Sequence, residues 1–388
     1  MSGILFFDTR FDRVTGAQRS MLTLAQMCRD RGRTVKVASL CEGPLLASVR
    51  ELGIPALSLH APPIPEGHAG AEGPRSFLGV IVLPWMLIHA LVLIIWQRPS
   101  VVVANTAGSA LYLGLWARLL RIPVIWYVRI ERRQPWLFPL AGRLATRILL
   151  VADGVRAAFT PAERKRWEQR MELLSTGFPD LGPTPGGREE LEQRLAAEQG
   201  RELPGERPRF LLLGSYYPRK GHADALEAFA SYRDRGGRGV LIFCGYRPVR
   251  DPYMVNLERQ RTELGLEETV VFLEQTQHAR ALMKLCDVAI LPSAAEGLPR
   301  IVVEALAEGR RVISYPVSGV RDLIRDERCG IVLDRAEPEA LAAAMQDAAD
   351  RLPTDHYADV RNNAVAHLTV ERYTDRFLAI CDDLRTGR

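Results

Sequence analysis

The chain has 388 residues, of which 47% are hydrophobic and 25% charged, and this excludes a disordered protein. Its length favours two domains of ordinary size, each able to bury its own core. The net charge is only +5, yet residues 118–170 contain twelve Lys or Arg against four Asp or Glu. The basicity is therefore local.

The cysteines and the amino-terminal residues bear on the compartment. Six scattered cysteines form no Cys-x-x-Cys pair, which favours reduced thiols in the core over disulfides or zinc. The apolar run at residues 4–7 is too short for a cleavable signal peptide. No Asp-x-Asp motif occurs, so we predict no bound metal. We expect a cytoplasmic location.

The amino-terminal half alternates short apolar runs with helical segments. Residues 4–7 predict a first strand, and Thr15-Gly16-Ala17 predicts a loop into a helix that ends near Arg31. Many nucleotide-binding folds begin with a strand, a glycine-containing loop and a helix in this order, although an ordinary βα turn explains a single glycine equally well. A later strand ends in Asn105, at the edge where open parallel sheets bind ligands. Further strands are predicted at residues 34–39, 56–59, 101–104 and 123–128.

Residues 76–97 carry no formally charged side chain and are numerous enough to span a bilayer. If this segment spanned the membrane, the strand at 101–104 would lie on the opposite side of the bilayer from the strands that it should join in one sheet. Two interpretations remain: a helix buried on all sides, or one with a core face and a second apolar face on a bilayer. Nearby tryptophans and the basic region 118–170 favour the second, so we expect peripheral contact with anionic lipid. No nucleic-acid motif is present.

The second half repeats the α/β pattern after a segment rich in Pro, Gly and charge. We predict domains at 1–178 and 209–366, a linker at 179–208, and a final helix within 367–388. Two similar halves imply a cleft between them, where ligands usually bind. The strands of the second half are predicted at residues 209–213, 240–244, 269–273, 287–291 and 311–314.

Two loops of the second half carry charged side chains. Arg219 and Lys220 lie in the loop after the strand at 209–213 and can neutralise a diphosphate, although a solvated turn explains them equally. Glu296 follows the strand at 287–291, beside a helix predicted to begin near Leu298, where free amide groups favour anions. Glu304 follows about two turns later. Either both carboxylates face one ligand, or Glu304 is a solvated helix residue and Glu296 is a negative charge that the helix dipole favours at the N-terminus.

The run Glu296-Gly-Leu-Pro-Arg-Ile-Val-Val-Glu304 resembles the Glu-x7-Glu signature of the retaining GT-B glycosyltransferases, family 4 in particular. The resemblance covers most of the second half and, more loosely, the first. It implies an α/β protein of two Rossmann-like domains facing a central cleft, with the last helix packed back on the first domain. It also implies metal-independent transfer from a UDP- or GDP-linked sugar. From the apolar segment 76–97 and the basic region 118–170 we expect a glycan or lipid-linked acceptor at the inner membrane face, in bacterial-type surface polysaccharide or glycolipid synthesis.

The resemblance also implies residue roles. The expected catalytic set is Glu296, Lys220 and Arg219. The resemblance places Glu296 on the donor sugar and Lys220 on the diphosphate. Arg219 is expected to compensate, from the other end of the loop, for the family arginine that Ser215 replaces. The expected donor-binding residues are Glu304, Gly297, Leu298, Gly214, Ser215, Gly245 and Glu274, the last through its main chain. The expected acceptor-side residues are Gly16, Ala17, Asn105, Tyr127, Arg129 and Glu131.

Two positions depart from the family pattern. Ser215 stands where relatives carry an arginine, and Tyr127 where they carry a histidine near the reacting sugar. These departures motivate an alternative, a membrane-associated GT-B binding or scaffold protein without catalysis. A GT-B sugar-nucleotide epimerase is a second alternative, although its usual acidic and histidine set is not evident.

Overall fold

The structure is a computed structural model that describes residues 3–9, 14–60, 75–129, 133–179, 182, 184–247, 251–351 and 358–386, with the backbone alone for residues 75–83 and 358. The chain divides into two compact units. Unit 1 comprises Met1–Pro179 and Leu368–Arg388, and unit 2 comprises Asp180–His367.

Unit 1 is a parallel sheet of seven strands in the order β3-β2-β1-β4-β5-β6-β7. The predicted strands form because their apolar, largely β-branched or aromatic residues are buried on both faces, as parallel strands require. Its elements are β1 (Ile4–Asp8), α1 (Gly16–Asp30), β2 (Val35–Ser39), α2 (Pro44–Glu51), β3 (Ala56–Ser58), α3 (Arg75–Gln97), β4 (Val101–Ala104), α4 (Ala107–Leu119), β5 (Val124–Val128), α5 (Leu137–Leu144), β6 (Arg147–Leu150), α6 (Pro161–Trp167), β7 (Met171–Leu173) and α15 (Val370–Thr386).

Helix α3 has two apolar faces. Met86, Ala90 and Ile94 are buried against the unit 1 core. Another face of the helix, with Ile88 and Val92, is exposed. The alternative of a helix buried on all sides is therefore wrong for residues 84–97. Because nearly every side chain of the segment is apolar, its periodicity could not reveal two faces. Among the described residues, no helix combines the length and apolarity needed to cross a membrane.

Unit 2 is a parallel sheet of six strands in the order β10-β9-β8-β11-β12-β13. The chain runs outward from β8 in one direction and then from β11 in the other, so the topology switches between these two neighbouring strands. Its elements are α7 (Arg188–Gln199), β8 (Arg209–Leu213), α8 (His222–Asp234), β9 (Val240–Cys244), α9 (Pro252–Glu263), β10 (Val270–Leu273), α10 (Ala279–Leu285), β11 (Val288–Leu291), α11 (Arg300–Ala307), β12 (Arg311–Ser314), α12 (Val320–Leu323), β13 (Gly330–Val332), α13 (Pro338–Asp350) and α14 (Ala358–Val365).

The predicted class, two Rossmann-like α/β domains, is confirmed by these two sheets. The segment predicted as a linker contains α7, which packs on α10 within unit 2. Helix α15 packs on α1 within unit 1, and Arg33 Nη2 donates to Asp382 Oδ2 at 2.6 Å. All six cysteines are buried, as predicted, and none of these described residues is in a disulfide.

Candidate active site

The candidate donor site lies in unit 2 at the carboxyl ends of β8 and β11. These strands are hydrogen-bonded neighbours at the topological switch point, where open α/β sheets leave a crevice for ligands. The loop after β8 spans residues 214–221, and the loop after β11 spans residues 292–299. The sheet thus brings together two charged loops that lie about 80 residues apart in sequence.

A close ion pair joins the two loops. Lys220 Nζ lies 2.6 Å from Glu296 Oε1, and the two side chains are only 18% and 13% exposed. Arg219 stands beside them, with Nη1 at 3.8 Å from the same Glu296 oxygen and donating to the carbonyl of Ala295 at 3.2 Å. The Ala294 amide donates to the Arg219 carbonyl at 2.8 Å. All three predicted catalytic residues therefore meet, two cations against one carboxylate.

Glycines hold these loops in contact. Gly221 has φ +72°, and a Cβ there would lie 2.0 Å from the carbonyl oxygen of Pro292. A Cβ on Gly245 would lie 2.0 Å from the carbonyl oxygen of Gly214, and the Lys220 side chain passes over Gly214. The structure therefore gives Gly245 a packing reason that needs no ligand.

The segment before α11 offers unengaged amide groups. The helix begins at Arg300 and not near Leu298, because Pro299 occupies the N-cap position. Gly297 and Leu298 thus lie in the loop, and within the described residues neither amide donates a hydrogen bond. No side chain caps the helix either. Free amides ahead of a helix, beside two cations, favour an anion.

Glu304 is already engaged by a cation that the sequence reasoning missed. Arg300 Nη2 lies 3.2 Å from Glu304 Oε1, one turn earlier on α11. A carboxylate accepts about four hydrogen bonds, so the pair leaves Glu304 able to accept from hydroxyl groups. The i,i+4 spacing was visible in the sequence, and it is the signal that could have found this contact.

Two further residues predicted for the donor site, Ser215 and Glu274, make main-chain hydrogen bonds with neighbouring residues of unit 2. The Ser215 carbonyl accepts from the Tyr217 amide at 2.8 Å, which holds Ser215 in the loop. The Glu274 amide donates to Gln199 Oε1 at 3.0 Å, and Gln199 Nε2 donates back to the Glu274 carbonyl at 3.4 Å. The main-chain groups expected to meet a base are thus engaged by α7, and the role of Glu274 stays a prediction.

Buried polar side chains at this sheet edge were not predicted from the sequence. The hydroxyls of Ser293 and Ser318, which follow β11 and β12, are buried, and neither has a hydrogen-bond partner in the described part of the chain. Most buried polar groups are partnered, so two orphans at one edge point to a site that is completed by a ligand or water. A serine close after a buried strand was the available signal.

His222 is buried at the start of α8, stacked on Tyr216 with ring centroids 4.9 Å apart. Within the described residues neither ring nitrogen makes a well-formed hydrogen bond. The main chain of Gly214 and Tyr217 lies near the ring and raises the pKa of His222 slightly, which opposes the larger effect of burial. Burial lowers the pKa of His222 to about 3. The ring is therefore neutral and supports the loop as an apolar group would.

This burial predicts an acid-sensitive stability. The unfolded chain binds a proton on this ring below about pH 6.5 while the folded chain does not, so stability falls by about 1.4 kcal/mol per pH unit as the pH drops below 6.5. We expect His222→Phe to flatten the decline of the unfolding free energy between about pH 6.5 and 4.5. Urea unfolding across this range measures it. Parallel slopes for both proteins would contradict the buried neutral ring.

The predicted acceptor-side residues of unit 1 form a polar network. Asn105 Nδ2 donates to the buried carboxylate of Asp8 at 2.6 Å, and Arg129 Nε donates to Asn105 Oδ1 at 2.6 Å. The Arg129 guanidinium lies 3.8 Å from the centroid of the Tyr127 ring. Asp8 was missed, although as the last residue of a buried strand it was visible in the sequence.

One acceptor-side prediction is corrected. Tyr127 is fully buried and its hydroxyl donates to the carbonyl of Leu174, so it offers no atom to a ligand and instead supports Arg129. Burial, followed by the neighbouring Tyr373, raises its pKa well above the ordinary value. Gly16 and Ala17 form the first turn of α1, and Gly16 is exposed. The prediction for Glu131 lies outside the described residues.

Comparison with known proteins assigns both halves of the chain. The family described as Glycosyl transferases group 1 matches residues 194–366, and the Glycosyl transferase 4-like domain matches residues 15–171. Both matches are to glycosyltransferase families, so the chain is a glycosyltransferase, and its two parallel sheets have the GT-B fold. The Glu296–Lys220 pair lies within the first match and Asn105 within the second.

Similar proteins include an alpha-D-kanosaminyltransferase of Streptomyces kanamyceticus, 27% identical over 65% of this chain and 66% of that protein. The lipopolysaccharide glucosyltransferase WaaG of Escherichia coli is 26% identical over 56% of this chain and 59% of that protein. This chain therefore matches less than two thirds of the length of these relatives. Among solved structures, Anabaena HepE in complex with UDP has a TM-score of 0.76 at 19% identity, covering 98% of this chain and 100% of that one.

Proposed function

We propose that this GT-B glycosyltransferase transfers a sugar from a nucleoside-diphosphate sugar to a glycan or lipid-linked acceptor. The observation that carries the proposal is the Lys220–Glu296 pair at the switch point, next to unengaged amides. A leaving diphosphate gains negative charge as its bond to the sugar breaks, and preorganised cations and amides stabilise that change. The UDP held by the structurally similar HepE supports a nucleotide donor, UDP- or GDP-linked.

Each residue has a proposed task in this reaction. Lys220 and Arg219 neutralise the diphosphate, together with the amides of Gly297 and Leu298. Glu296 accepts hydrogen bonds from the donor sugar, and Glu304 accepts them from the ribose. From the resemblance to the retaining family we propose that transfer retains the anomeric configuration and needs no metal. Because Glu296 is assigned to the donor sugar and no residue is assigned as a covalent nucleophile, we propose attack on the face from which the diphosphate leaves.

We also propose that the protein acts at the inner face of the cell membrane, in the synthesis of a surface polysaccharide or glycolipid. The support is the exposed apolar face of α3 with the neighbouring apolar side chains of α4 and α5. Exposed apolar side chains gathered on neighbouring helices are typical of a surface that contacts a partner or a membrane. Its most exposed members are Ile88, Trp96, Leu119 and Trp136.

A thermal-shift panel of UDP-, GDP- and ADP-sugars, run with and without EDTA, tests the donor site. A ligand that binds only the folded protein at 100 times its Kd stabilises it by about 2.7 kcal/mol. We expect the sugars of one base to raise the melting temperature and the others to leave it unchanged. If no donor shifts it, or if the shift disappears in EDTA, the proposed metal-independent site is wrong.

A further inference from the structure

A second cleft opens in unit 1, at the amino edge of the sheet. It has a volume of about 360 Å³ and lies between the starts of β1 and β2 and the end of α3. Lys36, Trp96, Gln97 and Arg98 contribute to its lining. None of the roles assigned above uses this cleft.

The cleft is cationic and lacks acidic partners. Lys36 Nζ donates to Gln97 Oε1 at 2.5 Å, and Arg98 is exposed. In the part of the chain that the structure describes, no carboxylate forms an ion pair with either cation. The end of a helix favours cations, which explains part of this arrangement. It does not explain a pocket beside two cations with unneutralised charge.

The backbone of Arg98 gives a second reason to assign it a function. Its φ is +40°, in the left-handed region that glycine occupies at low cost. Glycine is the usual residue immediately after a helix in this conformation. A long cationic side chain at such a position keeps a guanidinium at the mouth of the cleft, at a cost in backbone strain.

The cleft is continuous with the exposed apolar face of α3. Trp96 lines the cleft and is 81% exposed. From Trp96 the exposed side chains run back along the helix at the spacing of one face, through Ile95, Val92 and Ile88. An amphiphile with a negative headgroup matches both parts, because its charge meets the cations and its chains meet the apolar face.

The cleft lies away from the reacting groups. Arg98 precedes β4 and Asn105 follows it, so the cleft and the Asn105 network occupy opposite edges of the unit 1 sheet. Seven residues separate the two positions, which is about 20 Å for an extended chain. A headgroup bound in the cleft is therefore too far from the Asn105 network to take part in the reaction. The function of the cleft is attachment.

We propose that this cleft binds the phosphate of an anionic phospholipid in the membrane, with the acyl chains beside the exposed face of α3. Lys36 and Arg98 hold the phosphate, and Trp96 lies at the level of the headgroups. The face of unit 1 that carries α3 then lies against the bilayer. This inference extends the membrane part of the proposed function and identifies the lipid class that attaches the enzyme.

Cosedimentation with phosphatidylcholine vesicles, with and without phosphatidylglycerol, tests the site. We expect the wild-type chain to prefer the anionic vesicles and the double variant Lys36→Gln/Arg98→Gln to bind them about 30-fold more weakly. A matched control, Arg321→Gln/Arg335→Gln, removes two exposed cations from unit 2 and should bind as the wild type does. Ile88→Glu/Val92→Glu should weaken binding to both vesicle types.

Several outcomes overturn the proposal. Binding of the Lys36/Arg98 variant at the wild-type level means that the cleft holds no lipid phosphate. In another outcome, the wild type shows a thermal shift with inorganic phosphate, the double variant loses that shift, and the wild type binds no vesicles. That combination indicates a site for a free anion and not for a lipid. The nucleotide-sugar thermal shift is measured on every variant. Its retention shows a folded donor site, so failure of lipid binding is distinguished from failure of the proposed transfer.

Discussion

Replacing Lys220 with alanine is expected to lower the rate of sugar transfer by about 100- to 1,000-fold, the usual effect of removing one preorganised group from a developing charge. The Lys220 ammonium stands 2.6 Å from Glu296 at the switch point, where a leaving diphosphate would acquire its charge. Because both side chains are mostly buried and Glu296 keeps only the more distant Arg219, the melting temperature should also fall by several degrees. Steady-state kinetics and calorimetry measure the two effects.

The control for this variant is Arg259→Ala, which removes a cation that is 68% exposed on α9 and pairs with Glu263. It should leave both kinetics and stability unchanged. Transfer by Lys220→Ala within about threefold of the wild type would remove Lys220 from the mechanism. Arg219 would then be the remaining cation of this loop, and Arg219→Ala should show the large loss instead.

The substitution Glu296→Gln is expected to separate catalysis from nucleotide binding. It keeps the shape of the side chain but removes the charge, and loss of a charge-assisted hydrogen bond to the donor sugar should lower kcat by about 10- to 100-fold. It also releases Lys220 from its ion pair, so the affinity for the nucleoside diphosphate should stay equal or rise. Lys220→Ala should instead weaken nucleoside diphosphate binding.

Titration calorimetry with the nucleoside diphosphate and the monophosphate measures this contrast on both variants. Glu263→Gln is the matched control, since that carboxylate is 66% exposed on the surface of α9. A parallel loss of diphosphate affinity in Glu296→Gln and Lys220→Ala would mean that the pair acts only as a structural bridge between the loops. The proposed division of roles would then be wrong.

The strands and the chemistry of the donor loops could be predicted from the sequence because both are local. Short apolar runs such as Val101–Ala104 indicate buried parallel strands, and the spacing from Glu296 to Glu304 places both carboxylates near one helix N-terminus. That Lys220 and Glu296 serve one donor site followed from the resemblance to a family, whereas their direct ion pair was not predicted. Spacing alone left both residues as ordinary turn or helix charges.

The remaining features depend on packing between distant segments. The two faces of α3 could not be separated, because periodicity needs polar residues on one side and this helix has almost none. The burial of Tyr127 depends on Tyr373 and Leu174, which are far away in sequence. The segment 179–208 has a linker-like composition, yet α7 packs on α10 and its Gln199 engages Glu274.

The central claim is transfer of a sugar from a nucleotide donor, and release of nucleoside diphosphate measures it most directly. The purified chain is incubated in EDTA with the sugar nucleotide that stabilises it, with and without a lipid extract from bacterial membranes. We predict release that depends on the acceptor extract, is accompanied by a glycosylated product, and is lost in Lys220→Ala. If the protein binds the donor but neither releases nucleoside diphosphate nor epimerises the sugar with any acceptor, the account is contradicted and a GT-B binding protein is favoured. If it epimerises the donor sugar without releasing nucleoside diphosphate, an epimerase is favoured.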